Sequence, residues 1–361
     1  MPAGQGRSLR ATEQSSEFYL FALAFTQYGA VLFLRGLLAI TFPPLPMRCL
    51  VTGASGFVGR PLCAELVNRG FTVRTALRSA AAEMADFPSV SVGAICATTD
   101  WRMALDEVDV VVHLAARVHV MHDTALDPLT AFRATNVSAT LNLARQALAC
   151  GVSRFVFVSS VKVNGEYTSA GHAFSETDTP NPQDAYAVSK HEAEMGLRQL
   201  AAGTCMQLVI IRPPLVYGSG VKANFAALMR AVQRGWPLPL GAVHNRRSLV
   251  ALDNLLDFIV TCVSHPQAAN QTFFVSDGHD LSTADLVRGL ARGVGMSARL
   301  VPVPVWALRA GAALLGQGGA VQRLCDNLQV DISKAHQVLG WTPPVSVDEG
   351  LRRAVCGMPE S

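Results

Sequence analysis

"RCLVTGASGFVGRPLCAELVNRG", residues 48–70, reads as a strand, a glycine turn and a helix in immediate succession. Cys49 to Val51 form a short apolar run. Phe57, Leu62, Leu66 and Val67 then return at helical spacing, and Gly70 is a good helix terminator. Pro61 lacks a backbone N–H and is tolerated only in a first turn, which predicts a helix starting near Gly56. Gly53, Gly56 and Gly59 stand as G-x-x-G-x-x-G across the junction. That spacing is a weak signal alone, but between a strand and a helix it has a mechanism. Gly53 permits a tight turn, Gly56 lets backbone N–H groups approach a pyrophosphate at the positive helix end, and Gly59 lets helix and sheet pack closely. The alternative is a glycine turn that serves packing alone.

Outward from this unit the rhythm repeats. "FTVRTAL" (71–77), "SVSVGAI" (89–95), "DVVVHLAA" (109–116), "RFVFVSS" (154–160) and "QLVIIRPP" (207–214) predict strands. The continuous apolar runs among them suit a sheet covered on both faces. Long helices are expected over 127–151, ending at Gly151, and from about Asp184 to Leu200. Strands alternating with helices predict an α/β fold with a Rossmann-like, doubly wound parallel sheet. After Pro213 prolines and glycines become frequent and the alternation fails. A smaller, interleaved C-terminal substrate-binding domain is therefore expected from 213–245 and 277–361. The nucleotide-binding domain takes 47–212 plus about 246–276.

Composition bounds the function. Half of the 361 residues are hydrophobic, 16% are charged and the net charge is +3, so the chain is globular, and without a basic block no nucleic-acid partner is expected. The eight cysteines are scattered without a Cys-x-x-Cys pair. They read as small buried hydrophobes in a reducing compartment rather than disulfides or a zinc site. His119 and His122 are not read as ligands, and no metal is expected. "VPVPVWALRAGAALLG" (301–316) is apolar but short and carries Arg309, which suits a core or interface helix better than a membrane span. Residues 1–46 form an N-terminal extension whose stretch 18–42, "FYLFALAFTQYGAVLFLRGLLAITF", is hydrophobic. It reads as a membrane anchor, an export signal or translated sequence ahead of a start at Met47. The last reading is favoured over the anchor, and export comes third. Membrane contact is expected only if 18–42 is an anchor.

The chemistry is carried by "DAYAVSK" (184–190), which sets Tyr186 one helical turn from Lys190. A phenol near pKa 10 is a poor base at neutral pH, and bringing it to about 7 takes roughly 4 kcal/mol of preference for the phenolate. An ammonium 4–5 Å away supplies only about 1 kcal/mol in water but about 3–4 kcal/mol at an effective dielectric near 20. The pair therefore works only in a sheltered cleft. The bland reading is an aromatic and a charge on an exposed helix face.

The glycine turn, Ser159-Ser160 after a strand, and Tyr186/Lys190 on the following helix occur in one order. With "SSVKVNGE" (159–166), "VYGSGVKANF" (216–225), "HNRRSLVALDNL" (244–255) and "LGWTPPVSVDEGL" (339–351), the chain from Met47 resembles the extended short-chain dehydrogenase/reductases of the NAD-dependent epimerase/dehydratase family. Within it the resemblance is to UDP-glucose 4-epimerase-like proteins, which include UDP-4-keto-6-deoxy-N-acetylhexosamine 4-reductases of surface polysaccharide synthesis.

The resemblance implies that Tyr186 exchanges a proton with a sugar hydroxyl while hydride moves to or from a nicotinamide. Lys190 would also bond the nicotinamide ribose, and Ser160, with Ser159 as the alternative, would donate to the reacting oxygen. Ser55, Phe57, Val58, Leu114, Ala115, Ala116 and Pro213 are expected to line the cofactor cleft with the three glycines. Asn136 either lines it too or bonds locally. Lys162, Asn224 and Arg247 are the expected substrate contacts, with Arg246 competing for the diphosphate and Lys222 adding charge. Asp253 and Asn254 read as helix caps.

Two departures touch recognition of the ligands: Leu215 and Ala94 replace an asparagine and an acid of relatives. After Ser160 dehydratases carry an Asp-Glu pair; Val161 and Lys162 stand here, which removes dehydration. At the end of the second strand Leu77 and Arg78 replace the acid of NAD-preferring sites. Arg78 is either a 2′-phosphate ligand or a surface charge, so the cofactor is NADP(H) or NAD(H). The expected activity is NAD(P)-dependent chemistry at C4 of a UDP-sugar. Reduction of a 4-keto-6-deoxy-N-acetylhexosamine stands first and 4-epimerisation is the alternative. A non-catalytic cofactor-binding scaffold is the reading from another class. Nucleotide sugars and reduced nicotinamide place the protein in the cytoplasm, and the helices near 130–150 and 184–200 resemble those that pair into a homodimer.

Overall fold

The computed structural model describes residues 46–79, 84, 86–118, 127–221, 223–316 and 318–356. The stretch 18–42, His119, His122 and Lys222 lie outside them, as does the side chain of Asn224. The chain divides into Met1–Pro46 and Met47–Ser361, and every element named below belongs to the second unit.

In chain order the elements are β1 (Arg48–Thr52), α1 (Gly59–Asn68), β2 (Thr72–Leu77), β3 (Ser89–Ser91), α2 (Arg102–Leu105), β4 (Val110–His113), α3 (Pro128–Phe132), α4 (Thr140–Ala149) and β5 (Arg154–Val158). They continue as α5 (Ala185–Ala201), β6 (Gln207–Arg212), β7 (Leu215–Tyr217), α6 (Ala223–Gln233), β8 (Leu249–Ala251), α7 (Leu252–Ser264) and β9 (Gln271–Phe274). Five helices close the chain: α8 (Thr283–Gly293), α9 (Val305–Leu314), α10 (Gly318–Cys325), α11 (Ser333–Leu339) and α12 (Val347–Cys356).

Among the described residues seven strands form one parallel sheet in the order β3-β2-β1-β4-β5-β6-β9. The order reverses between β1 and β4, where Thr52 pairs with His113, and a doubly wound sheet opens its ligand crevice at such a point. Period-two alternation feeds two cores. Cys49, Val51, Val110, Val112 and Val156 face α1 and α7, while Leu50, Val111, Phe155 and Phe157 face α4 and α5. Each fully buried aliphatic or phenyl side chain contributes about 1.5–3 kcal/mol.

A third core joins Tyr217, Phe225, Met229, Leu286, Leu290 and Leu351 around the two-stranded pair β7-β8. Its members come from both sides of β8, because the chain leaves the large sheet after β6 and returns through β9.

Several expectations need correction. The strand foreseen over 89–95 ends at Ser91, because Gly93 turns the chain at φ +71°. The long helix over 127–151 is capped by Asp127, whose carboxylate accepts from the Thr130 N–H, but its middle, Arg133–Ala139, is a π-helical segment. Of the two readings of the 301–316 run, core or interface helix, the core one fails: α9 buries Ala312 alone, while Trp306 and Leu314 are 74% and 89% exposed. Cys49, Cys63 and Cys262 are buried as foreseen, but Cys96, Cys150, Cys205 and Cys356 are exposed; none is bonded. Asp253 and Asn254 are not caps. α7 starts from Ala251 without a side-chain cap, Asp253 pairs with Arg353, and Asn254 is buried against Asp277 and the Val345 carbonyl. No helix among the described residues is long and apolar enough to cross a membrane.

Candidate active site

The carboxyl ends of the strands open a cleft of about 1020 Å3 at the β1/β4 reversal. Its floor is the turn after β1. Gly53 has φ +69°, and a Cβ there would lie 2.8 Å from the Ala115 nitrogen. A Cβ on Gly59 would lie 2.1 Å from the Gly53 carbonyl oxygen, so helix and turn meet at a separation only glycine permits. Ser55, Gly56, Phe57 and Val58 complete the floor, and Leu114, Ala115 and Ala116 after β4 form the facing wall.

Beneath the floor, Thr52 Oγ1 accepts from the Ala115 N–H at 3.2 Å and bonds His113 Nδ1 at 2.7 Å. His113 Nε2 reaches Thr140 Oγ1 at 2.9 Å. Burial, helped by the Lys190 charge, pushes His113 down to about 3, so it acts as a neutral strut tying β1 to β4 and α4.

Arg78 lines the cleft beyond β2 with Leu77, and Pro213 lines it beyond β6. Ala94 is not among the lining residues; Val92, Ile95 and Trp101 are. The indole Nε1 of Trp101 is buried without a partner. A glycine cradle that a Cβ would fill, a vacant donor in the wall and this volume fit a dinucleotide.

α5 carries Tyr186 and Lys190. Asp184 caps it, accepting from the Ala187 N–H at 2.7 Å, so the helix begins where Tyr186 faces the cleft. Lys190, one turn on, is buried and also lines the cleft; it donates to the Val158 carbonyl at 2.8 Å and sits 4.5 Å over the Phe157 ring. Ser160 lines the same wall, close enough for its hydroxyl to favour the ionised phenol.

The electrostatics differ from the expected acidified phenol. Burial, with Asp184 adding to it, pushes Tyr186 up to about 12, and the Ser160 hydroxyl offsets only part of this. Burial likewise pushes Lys190 down to about 8, with Glu194 opposing. The reason is that desolvation penalises each charged form more than the neighbouring groups repay.

Ser159 and Ser160 are separated by the fold. Ser159 also borders the cleft, but its hydroxyl is engaged elsewhere, donating to Glu194 Oε1 at 2.5 Å. Glu194 is 1% exposed and pairs with Arg212, which also donates to Asn164 Oδ1 at 2.8 Å. This buried network is absent from the sequence reading. Its signal was present in the helical spacing Lys190–Glu194 and in an arginine closing an apolar strand.

Asn136 does not line the cleft. It sits in the π-helical segment, accepting from the Arg117 N–H at 2.8 Å and donating to Ser189 Oγ at 2.9 Å. Arg117 itself enters the wall, its guanidinium 5.6 Å over Phe132, which meets Tyr186 edge-on at 6.0 Å.

Two of the expected substrate contacts, Lys162 and Arg247, do not line this cleft. Lys162 is held by Glu166 and Asp184, and Arg247 donates to the Asp326 carbonyl at 3.1 Å outside the cleft lining. Arg246 is exposed. Among the described residues no cluster of three or more His, Cys, Asp or Glu side chains could hold a metal.

Comparison with known proteins agrees with this geometry. A family model described as the NAD dependent epimerase/dehydratase family matches residues 49–275. The UDP-glucose 4-epimerase of Vibrio cholerae is 48% identical over 311 residues, covering 86% of this chain and 94% of that protein. A putative epimerase from Burkholderia cenocepacia J2315 superposes with a TM-score of 0.67 at 25% identity, covering 86% of this chain and 98% of its own. The fold is shared as well by UDP-glucuronic acid 4-epimerase from Bacillus cereus in complex with NAD, at a TM-score of 0.69, 21% identity, and the same coverage of 86% and 98%.

Proposed function

Since the chain belongs to the NAD dependent epimerase/dehydratase family, we propose that it inverts C4 of a UDP-hexose in this cleft, using NAD(H). The observation that carries the reading is the convergence of Ser160, Tyr186 and Lys190 on the cleft whose floor is the glycine turn. The 48% identity to a UDP-glucose 4-epimerase over nearly the whole of both chains supports it.

The backbone N–H groups of the Gly53–Gly59 turn would hold the pyrophosphate, Arg78 would face the adenosine ribose and Lys190 the nicotinamide ribose. The nicotinamide, when bound, supplies reversible hydride acceptance at the sugar carbon. Tyr186 holds its proton at neutral pH because burial keeps it near 12, which suits donation to a C4 carbonyl oxygen. Taking the C4 hydroxyl proton requires a lower value, and Lys190 and the Ser160 hydroxyl are the groups able to favour the phenolate. Inversion requires the ketone to turn its other face to the nicotinamide while its oxygen still reaches the same phenol. Val161 and Lys162 stand where dehydration would need carboxylates, so no water is eliminated and the C4 oxygen stays on the sugar while its hydrogen is removed and returned. Pairing of two copies through α4 and α5 belongs to this reading.

A second reading, reduction of a UDP-4-keto-6-deoxy-N-acetylhexosamine, is favoured by Arg78 in the cleft with Leu77 in place of an acid. Purified protein given UDP-glucose or UDP-N-acetylglucosamine without added cofactor is expected to form the C4 epimer. Stoichiometric oxidation of NADPH by the 4-keto sugar supports reduction instead. Unchanged turnover in Tyr186→Phe, or no turnover with any of these substrates, overturns the catalytic reading in favour of a scaffold.

A further inference from the structure

Lys162 follows Ser160 in the short 3-10 turn Val161–Val163, and its own backbone N–H donates to Ser160 Oγ at 3.2 Å. Its ammonium bridges two carboxylates, Asp184 Oδ2 at 2.6 Å and Glu166 Oε1 at 2.8 Å. All three side chains are 30% exposed or less. Asp184 is also the cap of the helix that presents Tyr186 two residues later. One cation thus joins the turn bearing Ser160 to the start of the helix bearing Tyr186.

We propose that Lys162 is a positioning residue: clamped between Glu166 and Asp184, it fixes Ser160 against Tyr186 and offsets the Asp184 charge beside the phenol, without touching the sugar. The proposal rests on the reading that Tyr186 exchanges the C4 hydroxyl proton. The charged groups facing the cluster are accounted for. Glu166 and Asp184 meet Lys162 directly, Arg247 lies near Glu166, and Tyr186 faces Asp184, Ser160 and, one turn on, Lys190. The Asp184 charge works against phenolate formation, so removing its counter-cation raises the pH at which Tyr186 can accept a proton. Removal also leaves two carboxylates facing each other, which pushes the turn away from the helix start.

The test compares Lys162→Met, Lys162→Arg and the double variant Lys162→Met/Asp184→Asn with wild type. Asparagine retains the helix cap. Lys162→Met is expected to lower kcat roughly 10- to 100-fold, as loss of alignment does. It should move the rising limb of the pH–kcat profile up by about half a unit or more, with KM for the UDP-sugar and NAD(H) affinity within about 2-fold of wild type. Arginine should restore part of kcat, and the double variant should return the limb towards wild type. A raised KM with unchanged kcat, or a pH limb that does not move, overturns the proposal in favour of a direct diphosphate contact.

Should wild type turn over no UDP-sugar, the epimerase reading fails separately. The coupling is then read from tyrosinate absorbance, using Tyr186→Phe as the blank. Ionisation at lower pH in Asp184→Asn than in wild type supports the proposal, and an identical titration overturns it.

Discussion

The ammonium of Lys190 donates to the carbonyl oxygen of Val158 at 2.8 Å, which fixes a fully buried cation to the end of β5 beside the cleft. Burial holds it at about 8 against an ordinary 10.5, a difference worth roughly 3 kcal/mol. Below pH 8 the amine is charged in both folded and unfolded chains, so the folded state carries the whole cost. Between about 8 and 10.5 the folded chain loses the proton first, and stability rises with pH. Tyr186, raised from 10 to about 12, acts in the opposite sense: above pH 10 the unfolded phenol ionises first and stability falls. Lys190→Met is expected to raise the Tm of the ligand-free protein at pH 7, to flatten the rise between pH 8 and 10, and to reduce kcat at least about 100-fold. Thermal melts across pH with steady-state rates check this; a lower Tm at pH 7 would count against the burial account.

The glycine cradle makes a sterically sharp prediction. Gly59→Ala places a methyl group 2.1 Å from the Gly53 carbonyl oxygen and 2.7 Å from Ala54 Cα, so helix and turn must part. Stability should fall by about 2 kcal/mol or more, with loss of dinucleotide affinity. Gly311→Ala in α9, where nothing lies within 4 Å, should instead gain about 0.5–1 kcal/mol. Urea titrations of both variants and NADH fluorescence test the contrast.

Arg78 decides between the dinucleotides if its guanidinium meets a 2′-phosphate. Arg78→Ala should weaken NADP(H) binding by about 10-fold or more while leaving NAD(H) within about 2-fold. Equal affinities in wild type, unchanged in the variant, would make Arg78 a surface charge.

Glu194 and Arg212 form a buried pair behind the site, 1% and 3% exposed. Glu194→Gln leaves a buried guanidinium without its carboxylate and with one acceptor oxygen fewer, while an amide oxygen can still accept from Ser159. A loss of about 3–5 kcal/mol is expected by chemical denaturation. A change under about 1 kcal/mol would mean that solvent reaches the pair.

The glycine turn, the parallel strands and the Tyr186/Lys190 pair were legible because each rests on local spacing: a turn that only glycine can make, runs of four to six apolar residues, and a four-residue helical repeat. For Asn136 the sequence left two readings, a cleft residue or a locally bonded amide. A π-helical segment directs its amide to Arg117 and Ser189. Exposure of Trp306 and Leu314 was illegible for a related reason: an apolar run states what a segment could bury and says nothing of what the fold offers to cover it.

The sequence alone determined the doubly wound sheet, the position of its glycine turn and the one-turn spacing of Tyr186 and Lys190, because backbone sterics and helical periodicity act over a few residues. Only the tertiary structure decided which serine faces the phenol, with Ser160 toward Tyr186 and Ser159 turned to Glu194. It alone tied Lys162 to two acids and set burial above charge pairing in the protonation of Tyr186 and Lys190. Those outcomes depend on desolvation and on partners up to 35 residues apart, and neither quantity is written in any local stretch of the chain.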